Sequence, residues 1–291
     1  MKKKVIFLLI MTILFNTFCI SGVASENSEE EVFMVEKKDF STGEISTVEI
    51  PVVDEADEAE AFIPDGESII EGRNIIGTDE RSRVATELSN SMMPFRGVGL
   101  LEVTWNNGAV SWGTGWLFGP NDIATAGHMV YNSERGGYAS RIVFYPALNG
   151  PKGPANGYIA TNVYASVDYL LGDEQNDYAV FEVGSNIGNN FGYFGWATSI
   201  SPGARIQSIG YPGDKPQFEM WHCYGVCQRL LQHSFLHTLD TVKSQSGSPV
   251  YTPTDTKVRG IHIGFNNELI NNEATLIQGE LANLLYNRRN H

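Results

Sequence analysis

From Gly72 to the C-terminus, apolar residues fall in short runs or alternate with polar ones: RGVGLLEVTW, VSWGTGWLFG, RIVFYPAL, YIATNVYASV, DYAVFEVG, ARIQSIGY, SPVYTP and VRGIHIGF. Successive side chains on a strand point to opposite faces, so such runs predict strands. Gly, Pro and Asn clusters separate them at intervals of about ten residues, the spacing of an antiparallel sandwich or barrel. Helical spacing is predicted only near the end, in TLIQGELANLLYNR, where Leu276, Ile277, Leu281, Leu284 and Leu285 share a face. Strand–helix–strand alternation is absent, so the body reads as all-β.

Two different patterns precede the body. MKKKVIFLLIMTILFNTFCISGVASENSEE places three lysines before an apolar stretch that ends in small residues near Ala24 and Ser25. This predicts a secretory signal peptide over residues 1–25, removed together with Cys19, and hence a secreted protein without a membrane anchor. The C-terminal ANLLYNRRNH lacks the hydrophobic tail of a lipid anchor. Between Glu26 and Glu71 stand 16 acidic residues against Lys37 and Lys38, a net charge of −14, whereas residues 72–291 carry −3. The acidic stretch has too little apolar content to build a core alone. Its place between signal and body predicts a propeptide over residues 26–72. The body shows no basic patch, which argues against a nucleic-acid partner. Two cysteines remain in it, Cys223 and Cys227 in WHCYGVCQ. They are a candidate loop disulfide in an oxidising compartment and a weak metal signal.

A serine hydroxyl becomes a nucleophile when a neighbouring base takes its proton and a third group orients that base. His128 in IATAGHMVYN follows an apolar strand, with Ala126 and Gly127 leaving room for a substrate. Asp177 in QNDYAVFEV stands at the mouth of another strand, where a carboxylate is partly buried. Ser246 in TVKSQSGSPV precedes Gly247, whose conformational freedom permits a tight turn. Each signal is weak alone; the order His, Asp, Ser at long separations is far more specific.

TAGH, NDYAVFEV and SGSPV resemble the chymotrypsin-like serine peptidases, specifically the bacterial glutamyl endopeptidases of V8 type. GTGWLFGP, GYFGW, GYPGDK and the closing helix fit too, and RNIIGTDERSRV looks like that family's mature amino-terminus. The resemblance covers essentially the whole body. It implies two six-stranded antiparallel β-barrels, over residues 73–190 and 191–291, with the active site between them and a C-terminal helix. It assigns His128 as general base and acid, Asp177 as its orienter and Ser246 as nucleophile. The backbone N–H groups of Ser244 and Ser246 form the oxyanion hole. His262 and Thr241 match the positions that bind a glutamate side chain before the scissile bond (P1). It implies a monomeric zymogen that acts on protein or peptide substrates with no cofactor or metal. Activation follows cleavage near Glu67 or Glu71, by itself or by another protease, leaving Gly72, Arg73 or Asn74 as the new terminus.

Three departures qualify that likeness. Lys243 and Ser244 stand where the family usually has glycines, and the Cβ of Ser244 narrows the conformations in which its N–H points into the hole. Met129 and Gly113 replace a cystine, both together, so no thiol is orphaned. Cys223 and Cys227 have no family counterpart. A catalytically weak or inactive homologue that binds a protein through the cleft is the rival reading that Ser244 and Lys243 leave open. An α/β-hydrolase esterase fits worse, because Ser244 occupies the first glycine position of GxSxG.

Overall fold

The alternating runs become strands because each can bury one face only against a neighbour, and closing a sheet on itself covers that face without leaving an edge. The computed structural model describes residues 31–64, 81–150 and 156–291. The expected signal peptide with Cys19 lies outside the described residues, as does the expected processing region at Glu67, Glu71, Gly72, Arg73 and Asn74. The acidic stretch contributes β1 (Val32–Asp39), β2 (Ile45–Pro51) and β3 (Glu58–Ala59), and β4 (Ser82–Arg83) follows. Next come β5 (Val98–Thr104), β6 (Val110–Leu117), β7 (Asp122–Thr125), β8 (Tyr131–Asn132), β9 (Gly137–Tyr138), β10 (Arg141–Pro146), β11 (Tyr158–Ser166) and β12 (Ala179–Val183). The second half holds β13 (Gly195–Ala197), β14 (Arg205–Gly210), β15 (Trp221–Leu230), β16 (Ser234–His237), β17 (Pro249–Tyr251), β18 (Lys257–Asn266) and β19 (Asn271–Leu276). A helix, Gly279–Arg289, ends the chain.

Six strands in the order β10-β5-β6-β7-β12-β11 close into a barrel through the β10–β11 pairing. A second six, β17-β14-β15-β16-β19-β18, close through β17–β18. Every pairing within the two rings is antiparallel, as the alternation requires. Leu101, Leu117, Phe144 and Phe181 fill the first barrel; Ile206, Phe235, Val250 and Ala274 fill the second. Edge-to-face contacts of Trp116 with Phe194 and of Phe118 with Trp196, centroids 5.8 and 6.3 Å apart, join the first barrel to the chain that leads into the second.

Two sequence expectations change, for Leu276 and for the cysteine pair, and the acidic stretch finds its core elsewhere. Leu276 lies in β19, opposite Gly260, and the helix starts only at Gly279, with Leu281, Leu284 and Leu285 buried. A ladder to two neighbouring strands outweighs the local helical spacing. The acidic stretch does not form its own core but borrows one: Phe33, Val35 and Ile50 are buried against the first barrel. Cys223 and Cys227 are buried thiols, not a disulfide. Four residues apart on one extended strand, their Cα atoms stand about 13 Å apart, too far for a bridge. The Cys223 thiol instead donates to the Asp240 carbonyl.

Phe181→Ala opens a cavity in a fully packed barrel and should lower the unfolding free energy by about 3–5 kcal/mol in urea denaturation. Val110→Ala, at a half-exposed position, should change it by less than about 0.5 kcal/mol.

Candidate active site

β7 and β12 pair so that Thr125 faces Ala179, which sets the end of one strand beside the start of the other. His128 lies three residues beyond Thr125, in a short 3-10 turn, and Asp177 two residues before Ala179. This register brings the two side chains together. Asp177 Oδ2 is 2.6 Å from His128 Nδ1, and Asp177 Oδ1 accepts the His128 backbone N–H at 2.7 Å. Two bonds to one carboxylate fix both the ring and the turn that carries it. A Cβ on Gly127 would lie 2.9 Å from Asp177 Oδ1 and 2.8 Å from the Tyr169 ring. Gly127 therefore admits the carboxylate rather than leaving room for a substrate, as the sequence suggested. Desolvation lowers the His128 pKa, but the charge and hydrogen bond of Asp177 outweigh it, and the net direction is upward.

Ser246 reaches this place from the second barrel. Its carbonyl accepts the Thr114 N–H of β6 at 2.9 Å. On its other side Gly247 N–H donates to the His262 carbonyl at 2.8 Å, and His262 N–H donates to the Ser248 carbonyl at 2.9 Å. Gly247 has φ +86°, and a Cβ there would lie 2.2 Å from Thr114 O and Thr125 Oγ1. Among the described residues no hydrogen bond joins the Ser246 hydroxyl to the imidazole. Such bonds often tighten only when substrate binds.

Ser244 takes φ +73°, the left-handed conformation that a glycine would adopt more cheaply. The Lys243 carbonyl accepts the Gly213 N–H at 2.8 Å and the Ser244 carbonyl accepts the Thr114 hydroxyl at 3.3 Å, which hold the turn. Among the described residues neither Ser244 N–H nor Ser246 N–H donates to another protein group. Met129 fills the space beside Gly113: a Cβ there would be 2.4 Å from its terminal methyl carbon.

The pocket residues carry a pairing that sequence reasoning missed. His262 is buried, its Nδ1 3.2 Å from Nε2 of buried His237 and 3.1 Å from the Glu273 carbonyl. Leu239 N–H donates to His237 Nδ1, so neutral His237 carries its proton on Nε2 and can donate to His262. His262 then holds its own proton on Nε2. If His262 becomes cationic, Nδ1–H donates to Glu273 and Nε2–H remains a donor. Burial, opposed by the Glu273 hydrogen bond and aided by the charge on His128, pulls the His262 pKa to about 4. Thr241 Oγ1 is buried with no partner. The sequence signal for His237 was its place in HTLDTVKS, four residues before Thr241. A cleft of about 780 Å³ is lined by His128, Asp177, Tyr169 and Glu174 together with Gly264, Phe265 and Glu268; Ser246, Thr241 and His262 do not line it.

No family model matches the chain. It is 30% identical to the glutamyl endopeptidase of Bacillus licheniformis over 187 residues, 64% of this chain and 57% of that protein. It is 33% identical to a Bacillus subtilis protein named extracellular metalloprotease over 216 residues, 72% of this chain and 68% of that one. The chain thus spans little more than half the length of the first relative. Among the described residues no group of three or more His, Cys, Asp and Glu side chains is gathered as a metal site. A solved Glu endopeptidase structure superposes with a TM-score of 0.64 at 27% identity, over 74% of this chain and 99% of that one.

Replacing Ser244 by glycine should stabilise the chain by up to about 1 kcal/mol in urea denaturation, by relieving the left-handed serine. Ser244→Pro, whose ring fixes φ at about −65°, cannot keep this turn and should abolish reaction with a fluorophosphonate.

Proposed function

The chain belongs to the glutamyl endopeptidase family of chymotrypsin-fold serine peptidases, and from that premise we propose that it is a secreted, monomeric serine endopeptidase, made as a zymogen, that cuts after glutamate and less readily after aspartate. The observation that carries the reading is the doubly bonded His128–Asp177 pair, beside a serine tied by hydrogen bonds to both barrels. In the proposed reaction Ser246 Oγ attacks the carbonyl carbon of the glutamyl residue while His128 Nε2 takes the hydroxyl proton. The tetrahedral oxyanion accepts N–H bonds from Ser244 and Ser246, each worth about 3–4 kcal/mol of barrier. Collapse expels the amine, which takes its proton from His128 and leaves an ester on Ser246. Water, deprotonated by His128, attacks that ester, and release of Ser246 completes the cycle. Asp177 holds the imidazole in the required tautomer and stabilises its protonated form.

A carboxylate entering the pocket loses hydration, which is costly unless donors replace it. His262 Nε2–H and the unpartnered Thr241 hydroxyl are the donors that support a preference for glutamate. His237 is a positioning residue for His262. The acidic segment supports the zymogen reading, with cleavage by the chain itself or by another protease near residues 67–74. The homologue that binds without cutting gains support only from the left-handed Ser244; its free N–H, with that of Ser246, favours the enzyme.

Mass spectrometry of a digested peptide library should show cleavage after Glu, with Ser246→Ala reducing turnover by several orders of magnitude. A fluorophosphonate that fails to label Ser246 in processed protein would instead support the binder. His262→Ala should remove the preference for Glu; a preference that survives it would reject this pocket. His128 must be neutral to act as base, so kcat/KM should rise with pH through an apparent pKa above that of an ordinary histidine. Asp177→Asn removes both causes that raise that pKa. It should move this limb to lower pH and lower kcat by about 10⁴-fold, by analogy with the same change in other triads.

A further inference from the structure

The acidic segment is bound on a surface that shares no residue with the catalytic cleft, and the body reads its backbone atom by atom. Asn283 Oδ1 accepts the Val53 N–H at 2.6 Å, and Asn287 Nδ2 donates to the Pro51 carbonyl at 2.9 Å. Trp196 Nε1 donates to the Ala56 carbonyl at 2.8 Å, and Arg289 Nη1 donates to the Glu60 carbonyl at 2.9 Å. β3 adds to β13 as an antiparallel strand, with Trp196 opposite Ala59 and Ala197 opposite Glu58. The pairing continues through reciprocal N–H bonds between Phe62 and Tyr193. Lys257 Nζ, on a side chain only 8% exposed, bridges the carboxylates of Glu58 and Glu60. This is strand addition: main-chain bonds supply affinity, and one buried cation between two alternate glutamates supplies specificity.

Three observations mark this face as a site for a strand rather than a chance contact. Trp196, Asn283 and Asn287 are nine-tenths or more buried, and their polar atoms point at the segment, so its loss would leave them without these partners. A Cβ on Gly195 would lie 2.1 Å from Ala59 O, 2.7 Å from Ala61 N and 2.8 Å from the Glu60 carbonyl carbon. All three atoms belong to the segment, so the missing side chain makes room for it alone. At the other barrel, β1 pairs with β11 over five residues and Lys38 Nζ donates to the Ala139 carbonyl.

We propose that the body carries a second peptide-binding site, for an extended acidic strand of the form Glu-x-Glu, and that residues 31–64 remain in it as a separate, non-covalently bound chain after a cut between residues 64 and 81. The proposal rests on the zymogen reading only for where that cut falls.

The test uses the full-length Ser246→Ala chain, which needs no hydrolytic activity, with a sequence-specific protease site inserted between Ser68 and Ile69. After cutting, native size-exclusion chromatography and intact-mass spectrometry should find the segment co-eluting with the body. Gly195→Ala and Lys257→Glu should each reduce retained segment at least tenfold, with the body's circular dichroism unchanged. An excess of synthetic peptide 51–62 should displace the segment, and the same peptide with Glu58→Lys and Glu60→Lys should not. A segment that elutes apart from a folded body overturns the proposal, as does retention unaffected by Gly195→Ala and Lys257→Glu. Fluorophosphonate labelling of Ser246 in the wild-type chain reads the catalytic proposal separately, so either can fail without the other.

Discussion

The hydrogen bonds that clamp residues 246–248 between the two barrels are the constraint on which the site depends. Ser246 belongs to the second barrel, and His128 and Asp177 to the first. The Thr114 N–H on the Ser246 carbonyl ties the serine's backbone to the strand beside the histidine. The bonds of Gly247 and Ser248 with His262 tie the same three residues to β18. One short turn thus joins the strand beside His128, Ser246 itself and His262. Gly247 is indispensable there, since a side chain would collide with both Thr114 and Thr125.

Burial gives the two histidines of the site opposite electrostatic characters. His128 has a carboxylate at 2.6 Å, which outweighs the loss of water and favours its protonated form. His262 has only another imidazole and a carbonyl, so desolvation prevails and it stays neutral at pH 7. Beneath it, His237 is held so firmly by desolvation and the His262 charge that its pKa falls well below the ordinary value, despite the Glu273 carbonyl. It serves as a fixed neutral donor.

The acidic segment shows how a stretch too polar to fold alone can be ordered. Its few apolar residues, Phe33, Val35 and Ile50, complete a core built by others, while its carboxylates stay largely in solvent. It also covers the exposed edge of β13, which would otherwise invite pairing with another chain. The helix Gly279–Arg289 supports it with Asn283, Asn287 and Arg289.

The sequence by itself determined the strand content, the chemistry-bearing motifs TAGH, NDY and SGSPV, and the division into acidic and neutral regions. All of these follow from local alternation or residue type. Tertiary structure alone decided what depends on neighbours distant along the chain. It placed Leu276 in a strand rather than a helix, because two ladders flank it. It kept Cys223 and Cys227 apart, because one extended strand separates them. It revealed His237 behind His262 and turned the acidic stretch into a bound strand. Side-chain alternation reports which face of a residue is buried, but not against what; that is fixed only when the strand register is set.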